Sequence, residues 1–140
     1  MLRLILILSF FFLFTFAADS SPAKKIYQKK CAMCHNIEAP ESIAQRDAMV
    51  APYLRLALRS VYIGVDALEE PKTKAEHKKL TLEFLKDYMI NPHRDKSYCE
   101  DIIFEKYQTM PSMKGFISEQ QLESVLSYIY DNFSPTPDEF

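Results

Sequence analysis

Two cysteines and a histidine stand in the run Cys31-Ala32-Met33-Cys34-His35, and their types and spacing define a chemistry. On a helix, positions three and four apart share a side. Both thiols then reach one edge of a planar ring, and the imidazole lies one turn beyond Cys31. Two thioether bonds to vinyl groups would hold a porphyrin by that edge, and His35 would give its iron a nitrogen. The run therefore predicts one covalently attached haem, with Cys31 and Cys34 as tethers and His35 as the proximal iron ligand. A thioredoxin-like dithiol fits less well, because no βαβ pattern surrounds the pair. A structural zinc site needs four ligands, and beyond the pair only Cys99, His77 and His93 remain, without a second pair at metal spacing.

The N-terminus suggests where such chemistry takes place. Arg3 precedes the run Leu4 to Phe16, broken only by Ser9 and Thr15, and Ala17-Ala18 follows. This is the pattern of a secretory signal peptide over residues 1–18, with cleavage after Ala17 preferred to cleavage after Ala18. The run is shorter than the ~20 apolar residues of a spanning helix, although an uncleaved segment would leave the protein anchored close to a membrane. What remains has the length of one domain, expected over 19–134 with a flexible tail at 135–140. The chain has a net charge of -2, and losing Arg3 with the signal leaves 16 basic against 19 acidic residues, a net of -3. Nucleic acid is a poor partner for such a balance. Acidic net charge hints instead at partners with basic patches, without locating an interface.

With eight prolines, two glycines and no tryptophan, and no period-two alternation, the chain reads as helices joined by proline-marked loops. Ser21-Pro22 opens a first helix that ends in the haem motif. Tyr27, one turn before Cys31, is expected in the core. Residues 36–47 read as a loop. Val50, Leu54, Ala57, Leu58 and Val61 trace the stripe of a helix that starts beside Pro52 and closes near Glu69-Glu70-Pro71-Lys72. The charged stretch 72–79 reads as a solvated helical face. Leu82, Phe84, Leu85, Tyr88, Met89 and Ile90 form a further helix, stopped by Asn91-Pro92. Ser97-x-x-Glu100 resembles a capping box before Ile102 to Tyr107, and Ser118-x-x-Gln121 another before Leu122, Val125, Leu126, Ile129 and Phe133. Cys99 is left as a single thiol in an oxidising compartment, expected to be buried, with pairing between chains as the alternative.

An iron held by His35 needs a second partner. Thr109-Met110-Pro111-Ser112-Met113-Lys114-Gly115 offers two thioethers in a short stiff loop, while His77 and His93 lie in polar stretches and read as surface histidines. Together, the export signal, Tyr27-x-x-x-Cys31-Ala32-Met33-Cys34-His35, Asn91-Pro92 after an aromatic helix, and Met110-Pro111 before a final amphipathic helix resemble the small class I c-type cytochromes of bacteria. The likeness runs along almost all of the mature chain. It implies an all-α, cytochrome c-like bundle of about four to five helices around one haem. It also implies Met110 as the distal iron ligand, Met113 being the alternative, and a proline carbonyl that accepts from the proximal imidazole: Pro52, or else Pro40. The chain departs from the family in a longer middle section and in having no glycine in its first helix.

The resemblance implies a periplasmic one-electron carrier of a respiratory chain, not an enzyme, exchanging electrons with periplasmic or membrane-bound redox proteins. The rival reading is a haem-based sensor, or an accessory haem subunit of a redox enzyme, with an open or exchangeable distal site. Nothing in the sequence supplies the polar distal histidine or arginine that such chemistry asks for.

Overall fold

The computed structural model describes residues 21–135; the segment read as a signal peptide and the tail from residue 136 lie outside them. The described chain is all-α, with six α-helices where about four to five were expected: α1 Pro22–Lys30, α2 Ile43–Ala48, α3 Leu54–Glu69, α4 Lys74–Ile90, α5 Asp101–Tyr107 and α6 Glu119–Phe133. A short 3-10 turn at Arg94–Lys96 precedes α5.

The last helix organises the rest. Ser118 accepts from the Gln121 N–H while the Gln121 side chain accepts from the Ser118 N–H, the reciprocal cap expected of that sequence. From this start α6 buries Leu122, Val125, Leu126, Ile129 and Tyr130 and packs against α1, α3 and α4. The α1 contact is aromatic: the Tyr27 ring lies 6.3 Å from Tyr128 and 6.1 Å from Phe133, within the range where tilted rings attract. No glycine is needed at this crossing. Tyr27 itself is buried, and α1 opens as expected, with Ser21 accepting from Lys24 and Pro22 at the first position.

The middle of the chain differs from the sequence reading in three places. The expected loop at 36–47 contains α2, capped by Ser42 but burying none of its residues, so no apolar period betrays it. The charged stretch 72–79 is mostly exposed, as a solvated helical face should be, but from Lys74, after the Thr73 cap, it runs on without a break into the helix that ends at Ile90. Ser97 does not cap α5: its hydroxyl accepts from the Cys99 N–H, and α5 begins after Glu100 without a side-chain cap.

α4 packs on two sides. His77 and Thr81 face inward. The His77 ring lies 3.8 Å from that of Tyr62, tilted by 34°, with Nε2 3.2 Å from the Tyr62 carbonyl and Nδ1 3.2 Å from the Tyr130 hydroxyl. The Thr81 hydroxyl lies 3.3 Å from the same Nδ1. His77 is therefore not the expected surface histidine: at 3 % exposure it is a core residue with both nitrogens engaged. His93 is exposed, as expected. On another side, Phe84 stacks 4.5 Å from Tyr98, and Tyr98 presses on α3 at Gly64. A β-carbon there would sit inside the Tyr98 ring's contact distance, so the long middle section closes against α3 only because residue 64 has no side chain.

Two outcomes follow. Gly64→Ala gains about 1 kcal/mol of helix propensity but overpacks the Tyr98 contact by roughly 1–3 kcal/mol. A net loss of stability in urea is expected, and an unchanged or raised midpoint would refute this account of the closure. Burial pushes the Tyr27 and Tyr130 hydroxyls up to about 12 from an ordinary 10.0. The folded state thus holds these protons more tightly than the unfolded one, and the resulting stability is complete below pH 10 and lost as pH rises through 12. The melting temperature should fall across that window, with the last phenolate absorbance appearing together with unfolding. Full tyrosine ionisation in the still-folded protein would contradict it.

Candidate haem site

α1 ends at Lys30, and residues 31–34 form a turn rather than continuing the helix. The amides of Cys31 and Ala32 both reach the Tyr27 carbonyl, at 2.9 and 3.0 Å, and those of Cys34 and His35 both reach the Cys31 carbonyl, at 3.1 and 2.9 Å. The tightened turn keeps both thiols on one cavity wall even though the motif is not helical. Cys31 is buried and Cys34 exposed, so the wall runs from core to surface between them. The Tyr27 hydroxyl donates to the His35 carbonyl at 2.6 Å and locks the end of the turn.

Beside the motif, α3 starts without a side-chain cap. Its leading amides are satisfied by the chain that leaves the motif: Leu54 donates to the Asn36 carbonyl at 2.6 Å and Arg55 to Ile37 at 3.4 Å. This stitch brings Pro52 over the imidazole, where the His35 Nδ1–H donates to the Pro52 carbonyl at 2.7 Å. Of the two prolines considered, Pro52 makes the contact. Pro40 lines a separate, open surface groove with Met33 and Glu41. With Nδ1 donating, Nε2 keeps its lone pair. Burial holds the His35 imidazole below its ordinary range, opposed by the Pro52 carbonyl, which favours the neutral ring that a metal requires.

Another part of the lining comes from the loop after α5. Gln108 has φ 60 and ψ -170, a conformation costly for any residue but glycine. Its side-chain amide donates to the Phe104 and Glu105 carbonyls at 3.1 and 3.2 Å, ending α5 and turning the chain into Thr109-Met110-Pro111. The far end of the loop is anchored by α4. Because Asn91-Pro92 stops that helix, its last carbonyls lack helical donors. The Met113 amide binds the Met89 carbonyl at 2.8 Å, and the Ser112 hydroxyl binds that of Ile90 at 2.5 Å.

One cavity therefore gathers Cys31, Cys34 and His35 with Met110 and Met113, which stand 75 and 78 positions beyond His35. The two methionines differ in setting. Met113 packs against the core cluster and its backbone is tied to α4, whereas Met110 lines the cavity outside that cluster. Leu54, Leu58, Val61, Leu85, Leu126 and Ile129 line much of the rest, an apolar surround of the kind that limits water at a metal. Cys99 is half-buried on this same wall, not sealed in the core as expected, because the Ser97 hydroxyl holds its amide at 3.1 Å in the segment that Tyr98 pins to α3. Sequence reasoning missed this placement, and nothing local could have signalled it. Burial pushes the Cys31 thiol up to about 11, with the Lys30 charge acting against it, so the tether next to the core is a thiol rather than a thiolate at neutral pH.

Two thiols, a neutral imidazole with one free nitrogen and two thioethers lining one apolar cavity fit an iron porphyrin; this is a haem-binding helical domain. The Cytochrome c family model matches residues 20–132, and the chain belongs to the cytochrome c family. Membership makes haem the cofactor, iron the metal and electron transport the function of the domain. The chain is also similar to a protein of Aquifex aeolicus (strain VF5), described only as "Uncharacterized protein", at 29% identity over 128 residues, 84% of this chain and 80% of the relative. No solved structure matches it.

The Tyr27→Phe protein should lose about 1 kcal/mol, the ordinary net value of the hydrogen bond to His35, plus the cost of the carbonyl left unpaired. Thermal melting of the haem-loaded protein measures it, and a melting temperature equal to wild type would show that the bond does not hold the turn.

Proposed function

We propose that this protein is a periplasmic one-electron carrier with a single covalent haem, tethered by Cys31 and Cys34 and ligated by His35 Nε2 and Met110 Sδ. The observation that carries the reading is the convergence of these four side chains on one cavity from both ends of the domain. Each tether would form by adding a thiol S–H across a vinyl double bond, which needs no oxidant and releases nothing. When bound, the haem supplies one-electron chemistry at its iron. The residues of the chain do the rest. Pro52 orients the imidazole and raises its basicity. The Gln108 turn and the anchors on α4 hold the loop that presents a weak sulfur ligand. The apolar walls keep water from the metal.

With His35 and a methionine both holding the iron, no site would remain for a substrate, which favours electron transfer over catalysis. The N-terminal apolar run and the oxidising compartment it implies support a periplasmic setting, with redox proteins there or on the membrane as donors and acceptors. Among the described residues no helix is long and apolar enough to cross a membrane.

The ligand assignment is open to a direct test. Met110→Ala should lose the weak red-end absorption that sulfur-to-iron ligation gives the oxidised protein, and its reduced form should bind carbon monoxide rapidly. Met113→Ala should keep the band and instead lose about 2 kcal/mol of stability through a core vacancy. A Met110→Ala protein that retains the band would reassign the ligand to Met113. A wild-type protein without the band would overturn His/Met ligation altogether.

A further inference from the structure

α1, α3, α4 and α6 form the packed body of the domain. The two short helices, α2 and α5, bury none of their residues, yet each leads directly into one arm of the iron site. α2 ends at Ala48, four positions before Pro52, and α5 ends at Tyr107, three positions before Met110. Val50, Ala51 and Pro52 line the cavity beyond the first of them, and Gln108, Thr109 and Met110 beyond the second.

One side chain joins the two arms. The Lys106 ammonium, in the last turn of α5, donates to the Arg46 carbonyl in the last turn of α2 at 2.7 Å, and it stands 3.5 Å from the Asp47 carboxylate. That carbonyl is one of the acceptors that a helix leaves open at its end, and the Met49 amide reaches it at a longer 3.3 Å. A charged donor makes the stronger bond of the two. The other end of α5 is held by Arg94, which pairs with Asp101 and lies 4.0 Å from the centre of the Phe104 ring.

Two positions after Lys106 the backbone is strained. Gln108, at φ 60 and ψ -170, occupies a region that is essentially reserved for glycine and persists elsewhere only where the surroundings impose it. On one side its amide group caps α5 through the Phe104 and Glu105 carbonyls. On the other, Ser112 and Met113 are bonded to the end of α4. Because α4 belongs to the packed body and α5 buries nothing, α5 is the end that can give. Were it to swing away, Gln108 would relax to ordinary extended backbone and carry Met110 with it.

We propose that Lys106 is a positioning residue for the distal iron ligand: by tying α5 to α2 it keeps Gln108 strained and Met110 in place, so that breaking this one tie lets the sulfur leave the iron. The proximal and distal arms of the site are thereby coupled at the protein surface, through a bond that involves neither ligand. The inference rests on the His35 and Met110 ligation proposed above.

For the exported, haem-loaded protein, carbon monoxide binding to the reduced form reads how often the sulfur is off the iron, and the red-end band of the oxidised form reads how often it is on. Lys106→Met should bind carbon monoxide at least about threefold faster than wild type, the effect of losing one charged hydrogen bond, and should show a weaker band. Lys106→Arg, which can still donate to the Arg46 carbonyl, should restore the wild-type rate and band. Gln108→Ala keeps the strain and loses the cap, whereas Gln108→Gly loses both, so the glycine variant should bind more slowly than the alanine one. A glycine turn can also follow α5 without moving Met110, so Lys106→Met should have a smaller effect in the Gln108→Gly background. Equal effects in the two backgrounds overturn the proposal, as does a Lys106→Arg protein as fast as Lys106→Met. A Lys106→Met protein that melts lower but keeps the wild-type rate and band makes Lys106 a structural residue only, and the proposal fails. A wild type that lacks the band and binds carbon monoxide at a rate none of these changes alters defeats the ligation reading instead.

Discussion

The 2.7 Å hydrogen bond from His35 Nδ1 to the Pro52 carbonyl is the contact on which the arrangement of the site depends. It joins the turn after α1 to the entrance of α3, and it leaves Nε2 as the nitrogen free to bind iron. It cannot form unless the chain leaving the motif runs beside the start of α3. The carbonyls of Asn36 and Ile37 secure this by satisfying amides that no side chain caps. Local helix chemistry and site chemistry thus share the same few bonds. The Tyr27 hydroxyl adds the third side of the frame by binding the His35 carbonyl.

The methionine loop is built on the same logic. Asn91-Pro92 ends α4 and leaves carbonyls in need of donors, and the loop that carries the methionines supplies them through Ser112 and Met113. Anchoring at residues 112–113 packs Met113 against the core, while Met110, on the far side of Pro111, lies outside that cluster; both line the cavity. α4 can serve as this anchor because it is itself held on two sides, by the His77 network and by the Phe84–Tyr98 stack. The extra length in the middle of the chain closes over α3 at Gly64 and carries Cys99 onto the cavity wall.

Much of this was legible in order along the chain. The ends of α1 and α4, the reciprocal cap of α6 and the buried stripe from Leu122 to Ile129 follow from near-neighbour chemistry, which the sequence states directly. α2 escaped notice because it buries no residue and so leaves no apolar period. His77 was misplaced because its neighbours in sequence are charged, whereas its neighbours in space, Tyr62 and Tyr130, come from α3 and α6. Ser97 resembled a cap because the spacing to Glu100 was right, but its hydroxyl binds the amide of Cys99.

By itself, the sequence determined the helical class, the thiol and imidazole chemistry of Cys31, Cys34 and His35, and the pair of methionines from which a second ligand could come. These depend on residue type and on separations of a few positions, where covalent geometry leaves little freedom. Only the tertiary structure decided that Pro52 rather than Pro40 orients the imidazole and that Met110 and Met113 have different surroundings. Each of those outcomes depends on segments far apart in the chain being brought together by unpaired backbone groups and buried apolar surface, and no local spacing encodes which of the available partners is reached.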